Sequence, residues 1–291
     1  MGGKHMVTGK SDRLFNGFVY LTLLAVAIVA IFPLLYVVSM SLTPYSEVIK
    51  NGGFVVLPRN ISFEAYDRIF SDPALGRSMG VTVFVTAVGT AVNLLLTTLA
   101  AYPLSRKNLK GRTFFLLFIV ITMLFNGGII PTYLVVKSFG LLNSVWALIV
   151  PGAIATFNVL VMKSFFENLP EELFESARID GAKEFRILWR IVLPLSVPSV
   201  MTVGLFYMVG HWNSFFSAVL YISNSELYPL QVVIRNMLLQ TVSSEQQAEV
   251  TVPTAAMQMA AVITGSLPII AVYPFIQKHF TKGMLLGAIK G

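Results

Sequence analysis

The chain is 291 residues long, 55% apolar and only 12% charged, with a mean hydropathy of +0.74. A soluble domain carries about 25% charged residues, so a water-exposed globular fold is excluded and lipid is the solvent that suits this surface. There is no cysteine, which rules out a disulfide framework and a thiolate metal site. The net charge of +7 sits in short loops between apolar runs, a pattern of membrane orientation and not of nucleic-acid binding.

Residues 1–14 read as a tail, followed by six apolar runs at about 15–42, 79–104, 113–137, 143–166, 196–222 and 251–276. Each is close to the roughly 20 residues a helix needs to cross a 30 Å hydrocarbon core. The first run exceeds the roughly 7–15 residues of a signal-peptide core. The expectation is an all-α integral membrane protein with six transmembrane helices over residues 15–277 and a second tail at 278–291. Gly127, Gly128 and Pro131 predict a break near the outer end of the third run. With the N-terminus inside, fifteen of the 21 Lys and Arg fall on the inner face, so both termini are expected to be cytoplasmic.

Two outer segments, about 43–78 and 223–250, are long enough to hold structure. The first contains SFEAYDRIF, whose Phe63, Tyr66 and Phe70 share one face of a short amphipathic helix, suited to the interface, lipid or a partner.

The one sizeable inner loop, about 168–194, gathers nine charged residues between Glu171 and Arg190. Leu169, Leu173, Ala177, Gly181, Phe185 and Trp189 recur every four residues and give an apolar face over two turns. Pro170 suits a first helical turn, with Glu171 and Glu172 at its positive end. Asp180-Gly181 marks a bend, and a second helix is expected to enter the membrane at IVLPLSVP. Such an element serves either as a handle for a soluble partner or as a loop on the headgroups whose basic residues meet anionic lipid.

If a solute crosses, it meets polar groups inside the spans: Asn93, Asn126, Asn158, Tyr207, His211, Asn213 and Gln258. The stretch YMVGHWNSFF is the densest, with Tyr207, His211 and Ser214 at helical spacing and Trp212 and Asn213 beside them. Hydrogen-bonding groups next to flat aromatic surfaces suit a sugar. Interhelical hydrogen bonding is the plainer use of the same groups. None of the runs carries Asp, Glu, Lys or Arg near its centre, which argues against a self-powered ion- or proton-coupled carrier. A phosphate-cradling loop is missing as well: GGKHMVTGKS has the wrong spacing and no preceding strand. Without catalytic motifs, the chain is not expected to be an enzyme.

ESARIDG, nine residues, then IVLP resembles the EAA loop of permease subunits in binding-protein-dependent ABC importers. The match falls on Glu175, Ala177, Gly181, Ile191, Leu193 and Pro194, with Ser176 in place of the middle alanine. FNGGIIPTYLVVKSFGLLNSVWALIVPGAI, GLFYMVGHWNSFF and YPFIQKHFTKGMLLGAIKG extend the resemblance to the carbohydrate-uptake group, within it the LplC/YtcP-like branch for polysaccharide fragments. The resemblance implies a coupling helix that docks on an ATPase subunit through Glu175, Ser176, Ala177, Asp180, Gly181 and Phe185. It also implies a second permease subunit, two ATPase subunits that bind ATP and Mg, and an external solute-binding protein. No cofactor or metal is expected in this chain, and the expected location is the bacterial cytoplasmic membrane. A membrane scaffold using the same loop and a self-contained channel or carrier are the rival readings.

Overall fold

The computed structural model describes residues 10–52, 54–244 and 254–288. The outermost parts of both tails, and residues 245–253 of the second outer segment, lie outside the described residues. The long helices are α1 (Lys10–Ser41), then α2 (Tyr45–Lys50), α3 (Glu64–Ser71), α4 (Pro73–Ser105), α5 (Arg112–Leu124), α6 (Ile129–Ser138) and α7 (Thr156–Glu167). They continue as α8 (Glu171–Ile179), α9 (Glu184–Leu195), α10 (Val197–Trp212), α11 (Phe216–Tyr221), α12 (Leu230–Ser244) and α13 (Thr254–Ala288). No strand occurs among the described residues. The chain divides into two units, one made of residues up to Ser71 with Leu238–Thr264, the other of Asp72–Met237 with Gly265 onward.

In the first unit, α1 exposes apolar side chains from Leu14 through Leu35 and packs only at its end. Met40, Val48 and Val55 form a small buried cluster there, with Tyr36, Ala255 and Met259 against it. Buried Glu47 accepts hydrogen bonds from the Arg59 and Asn60 backbone N–H groups at 2.8 and 3.2 Å, closing the turn after α2. The amphipathic helix expected around Phe63 is α3, but its buried side is Ala65 and Ile69, and Phe63 and Phe70 point outward.

In the second unit, α4 starts at Asp72, whose Oδ1 accepts from the Ala74 N–H at 2.8 Å, with Pro73 in the first turn. Its buried side is a polar ridge of Ser78, Thr82, Thr86, Thr90, Asn93 and Thr97, whereas Val83, Phe84, Leu95 and Leu99 face out. This pattern inverts that of a soluble helix, since lipid solvates the apolar side and polar groups need partners inside. The ridge packs along α10 and α7.

The third apolar run breaks where expected, α5 and α6 meeting at 115°. Gly128 has φ +90°, and Asn126 Oδ1 accepts its N–H at 2.9 Å, which fixes the corner. Residues 143–166 differ from the single helix expected of them. They form a 3-10 turn, Val145–Leu148, an irregular stretch through Pro151-Gly152, and then α7. At twelve residues α7 spans only about 18 Å; the Pro-Gly pair supplies the break. The fifth run ends as a helix at Trp212 and resumes as α11. Among the described residues of the second segment expected outside, Leu230–Ser244 form α12. Three helices among the described residues are long and apolar enough to cross a membrane, or five if the bent pairs α5–α6 and α9–α10 each count once.

Candidate functional site

The charged loop is two helices joined by a tight corner. Pro170 precedes α8, and Glu171 and Glu172 occupy its first turn. At its end the Gly181 N–H donates to the Arg178 carbonyl at 3.0 Å and the Ala182 N–H to the Ala177 carbonyl at 2.9 Å. This pair of bonds is the Schellman arrangement, which needs a left-handed residue at its centre. Gly181 supplies it with φ +75°. In α9, Pro194 has no N–H for the Arg190 carbonyl, and the helix widens to a π turn over Leu188–Val192.

Phe174 and Ala177 form the buried side of α8, in one cluster with Tyr102, Phe166, Ile187 and Leu188. Arg106, just past α4, lies between the elements. Its guanidinium sits 3.6 Å from the centroid of the Phe174 ring and 5.5 Å from that of Tyr102. It donates to the Phe166 carbonyl at 3.0 Å and approaches the Glu171 carboxylate to 3.6 Å. A second tie runs through Glu184, which accepts from the Tyr102 hydroxyl and, at 3.0 Å, from Arg178 Nε. Burial pushes the Glu184 carboxyl up, but the hydrogen bonds from Tyr102 and Arg178 and the Arg178 and Arg106 charges outweigh it, so its pKa is held below the ordinary value. Arg112 adds a strut, donating to the Leu104 carbonyl at 2.9 Å and pairing with Glu167. The result is a short helix fixed to the end of the longest polar-ridged helix of the unit.

Of the expected loop residues, Glu175, Ser176, Asp180, Gly181 and Phe185 are on the surface, and Ala177 is buried. The four-residue stripe does not survive intact, because Leu173 is partly exposed and Phe174 beside it takes the core position. The sequence reading also missed Ile179, 86% exposed at the tip of α8. An isolated isoleucine next to Asp180-Gly181 was its one signal.

The expected path residues separate into two sets. Tyr207 is buried, its hydroxyl 2.6 Å from Thr97 Oγ1 and accepting the Ala155 N–H at 3.1 Å. His211 is buried against Gly89, with Nε2 3.2 Å from Asn93 Nδ2, which also donates to the Gly152 carbonyl at 3.3 Å. Trp212 Nε1 donates to the Gly265 carbonyl at 2.9 Å. These three join α4, α10 and α13 inside the unit, and Asn158 is buried nearby on α7. Asn126 and Asn213 are exposed, Asn126 holding the α5–α6 corner and Asn213 donating to the Val209 carbonyl at 2.9 Å. Gln258 is half-buried on α13. Asn93 Oδ1, Thr86 Oγ1, Thr90 Oγ1 and Ser214 Oγ are buried without a hydrogen-bond partner.

Helices with exposed apolar faces, a buried polar ridge on α4 and a braced loop between candidate spans mark a helical membrane protein. The chain belongs to the family of binding-protein-dependent transport system inner membrane components, matching it over residues 75–286. It is 46% identical over 286 residues to the protein LplC of Bacillus subtilis, covering 97% of each chain. It is 44% identical to the polygalacturonan/rhamnogalacturonan transport system permease protein YtcP of the same organism, covering 96% of this chain and 99% of that one. Among solved structures it is similar to a chain of a bacterial ABC transporter involved in the import of the acidic polysaccharide alginate, with a TM-score of 0.86 and 32% identity over 94% of this chain and 98% of that one. It is thus a permease subunit of an ABC transporter for carbohydrate, and not itself an enzyme.

Proposed function

We propose that the chain is one of two related permease subunits in an importer for oligosaccharides cut from complex polysaccharides, uronate-containing fragments included. Support for this substrate class comes from the names of its relatives, polygalacturonan and rhamnogalacturonan in one and alginate in another. In this reading the chain crosses the bacterial cytoplasmic membrane six times, residues 143–166 supplying the fourth crossing and both termini lying in the cytoplasm. Two ATPase subunits bind ATP and Mg on the inner side, and an external solute-binding protein delivers the sugar.

The observation that carries the proposal is the bracing of α8 against Arg106 and Glu184. A docking helix transmits force only if its base cannot slip. Its outer face offers Glu172, Glu175, Ser176 and Ile179, with Asp180 and Gly181 at the tip and Phe185 just beyond. Ala177 acts from beneath, by seating the helix. When ATP draws the two ATPase subunits together, α8 moves with them and carries the end of α4. The solute path is assigned to Asn126, Asn158, Tyr207, His211, Trp212, Asn213 and Gln258. Asn126 and Asn213 are open to it as the chain stands, and the bonded residues on α10 form the joint that rearranges as access alternates. Purifying the complete assembly and measuring which oligosaccharides, delivered by its binding protein, stimulate ATP hydrolysis tests the proposal. A complex whose hydrolysis ignores every such fragment would refute it.

A further inference from the structure

We propose that α9 carries a binding site for the phosphate headgroup of an anionic phospholipid. The site is a cleft of about 440 Å³ lined by Gly181, Lys183, Phe185, Arg186, Trp189 and Arg190. It rests on the membrane placement proposed above but assigns this helix a ligand that the docking role does not require.

Burial along α9 alternates in pairs. Ile187, Leu188 and Val192 are packed into the unit's core, with Ile191 half-buried, while Phe185, Arg186, Trp189 and Arg190 face out. Positions four apart share a face. The outward side therefore carries an aromatic strip, Phe185 and Trp189 with ring centroids 6.0 Å apart, beside a basic strip, Arg186 and Arg190. Lys183 stands one turn before Arg186. Among the described residues none of these three cations forms an ion pair. By contrast Arg178, on the other side of the corner, is held by Glu171 and Glu184.

Orientation decides what these cations meet. α9 is bent by 85° from α10. If α10 crosses the bilayer, α9 runs along its surface, and Ile191–Leu195 marks the level where the chain passes into hydrocarbon. A surface helix with aromatic rings and unpaired arginines meets headgroups: the rings suit the boundary and the cations suit phosphate. Charge also sorts the two halves of the loop. The outward face of α8 carries Glu172 and Glu175, which an anionic surface repels, and α9 carries the cations it attracts. α8 thus faces a protein in the cytosol and the basic strip of α9 holds the membrane beside it, with Gly181 and Phe185 at the seam between the two.

The test uses the complete importer, with phosphatidylglycerol as probe and phosphatidylcholine as control, and counts bound lipid by native mass spectrometry. The wild-type complex should retain phosphatidylglycerol in preference to phosphatidylcholine. Lys183→Gln/Arg186→Gln/Arg190→Gln should weaken retention roughly fivefold for each charge removed, and Arg186→Lys/Arg190→Lys should keep it. If the triple variant does not assemble, Arg186→Gln and Arg190→Gln singly carry the same readout. Equal phosphatidylglycerol retention in wild type and variants overturns the proposal. So does loss of the ATPase subunits from the variants with lipid unchanged, which would make this face a protein contact. The docking reading fails separately, if an Ile179→Asp complex keeps its ATPase subunits.

Discussion

The Arg106 guanidinium lies 3.6 Å from the centroid of the Phe174 ring, joining the end of the membrane helix α4 to the buried side of the loop helix α8. Both groups are shielded, Phe174 fully buried and the Arg106 side chain 12% exposed. A cation over a ring in such a place is worth about 2 kcal/mol. Phe174→Leu keeps most of the packing and removes the ring. It should lower binding-protein-stimulated ATP hydrolysis by roughly tenfold, with ATPase subunits still bound. Phe174→Ala adds a cavity of the kind that costs about 3–5 kcal/mol and should also lower the melting temperature. Comparing the two separates transmission from folding.

Gly181 meets nothing within 4 Å of an added Cβ, so its requirement is conformational. Gly181→Ala forces an L-residue to φ +75° at a cost of about 1–2 kcal/mol. Uptake should fall modestly with the complex intact, and Gly181→Asn should be milder because asparagine tolerates this region. Gly181→Phe places a large ring at the tip of α8 and should abolish uptake while the chain still inserts. Normal uptake by Gly181→Phe would count against docking at this corner.

Among the described glycines, Gly89 leaves the least room for a side chain. A Cβ at position 89 would lie 2.5 Å from His211 Nε2. Gly89→Ala should destabilise the purified complex by about 1–3 kcal/mol through overpacking. His211→Ala in the same chain should restore much of that loss, because it opens the space. Thermal melting of both single variants and the double gives the coupling directly.

Tyr207→Phe removes the hydroxyl that contacts Thr97 and accepts the Ala155 N–H. Interhelical hydrogen bonds in membranes average about 0.6 kcal/mol. An N–H left buried raises the expected loss to about 1–3 kcal/mol. A melting temperature unchanged from wild type would show that water takes the vacated place.

The Glu184 clamp has a pH signature. Its carboxyl pKa is lowered in the folded chain, so its contribution is complete above the ordinary glutamate value near 4.3 and lost as pH falls through the lower folded value. The stability difference between wild type and Glu184→Gln should therefore be constant from neutral pH down to about 5 and shrink below the ordinary value. Melting the two proteins across that range checks the sign: a difference that grew on acidification would mean the carboxyl is not held ionised by Arg178.

Much of this was legible from residue order. The apolar runs, the break at Gly127-Gly128 and the corner at Gly181 follow from local chemistry, namely lipid's demand for apolar surface and glycine's access to left-handed backbone. What residue order did not give was partnership. Four-residue spacing assigned the inward face to Leu173; Phe174 takes it instead, with Arg106, 68 positions earlier, over its ring. Residues 143–166 split at Pro151-Gly152, a pair that a count of apolar residues passes over. His211 and Tyr207 looked like groups for a passing sugar, yet α4 presents Asn93 and Thr97 to them at helical spacing. Sequence thus determined which segments seek lipid and where the backbone turns, since those are properties of neighbours along the chain. Only the tertiary structure decided which polar group each buried side chain meets, because in a membrane that pairing is set by how helices distant in sequence lie side by side.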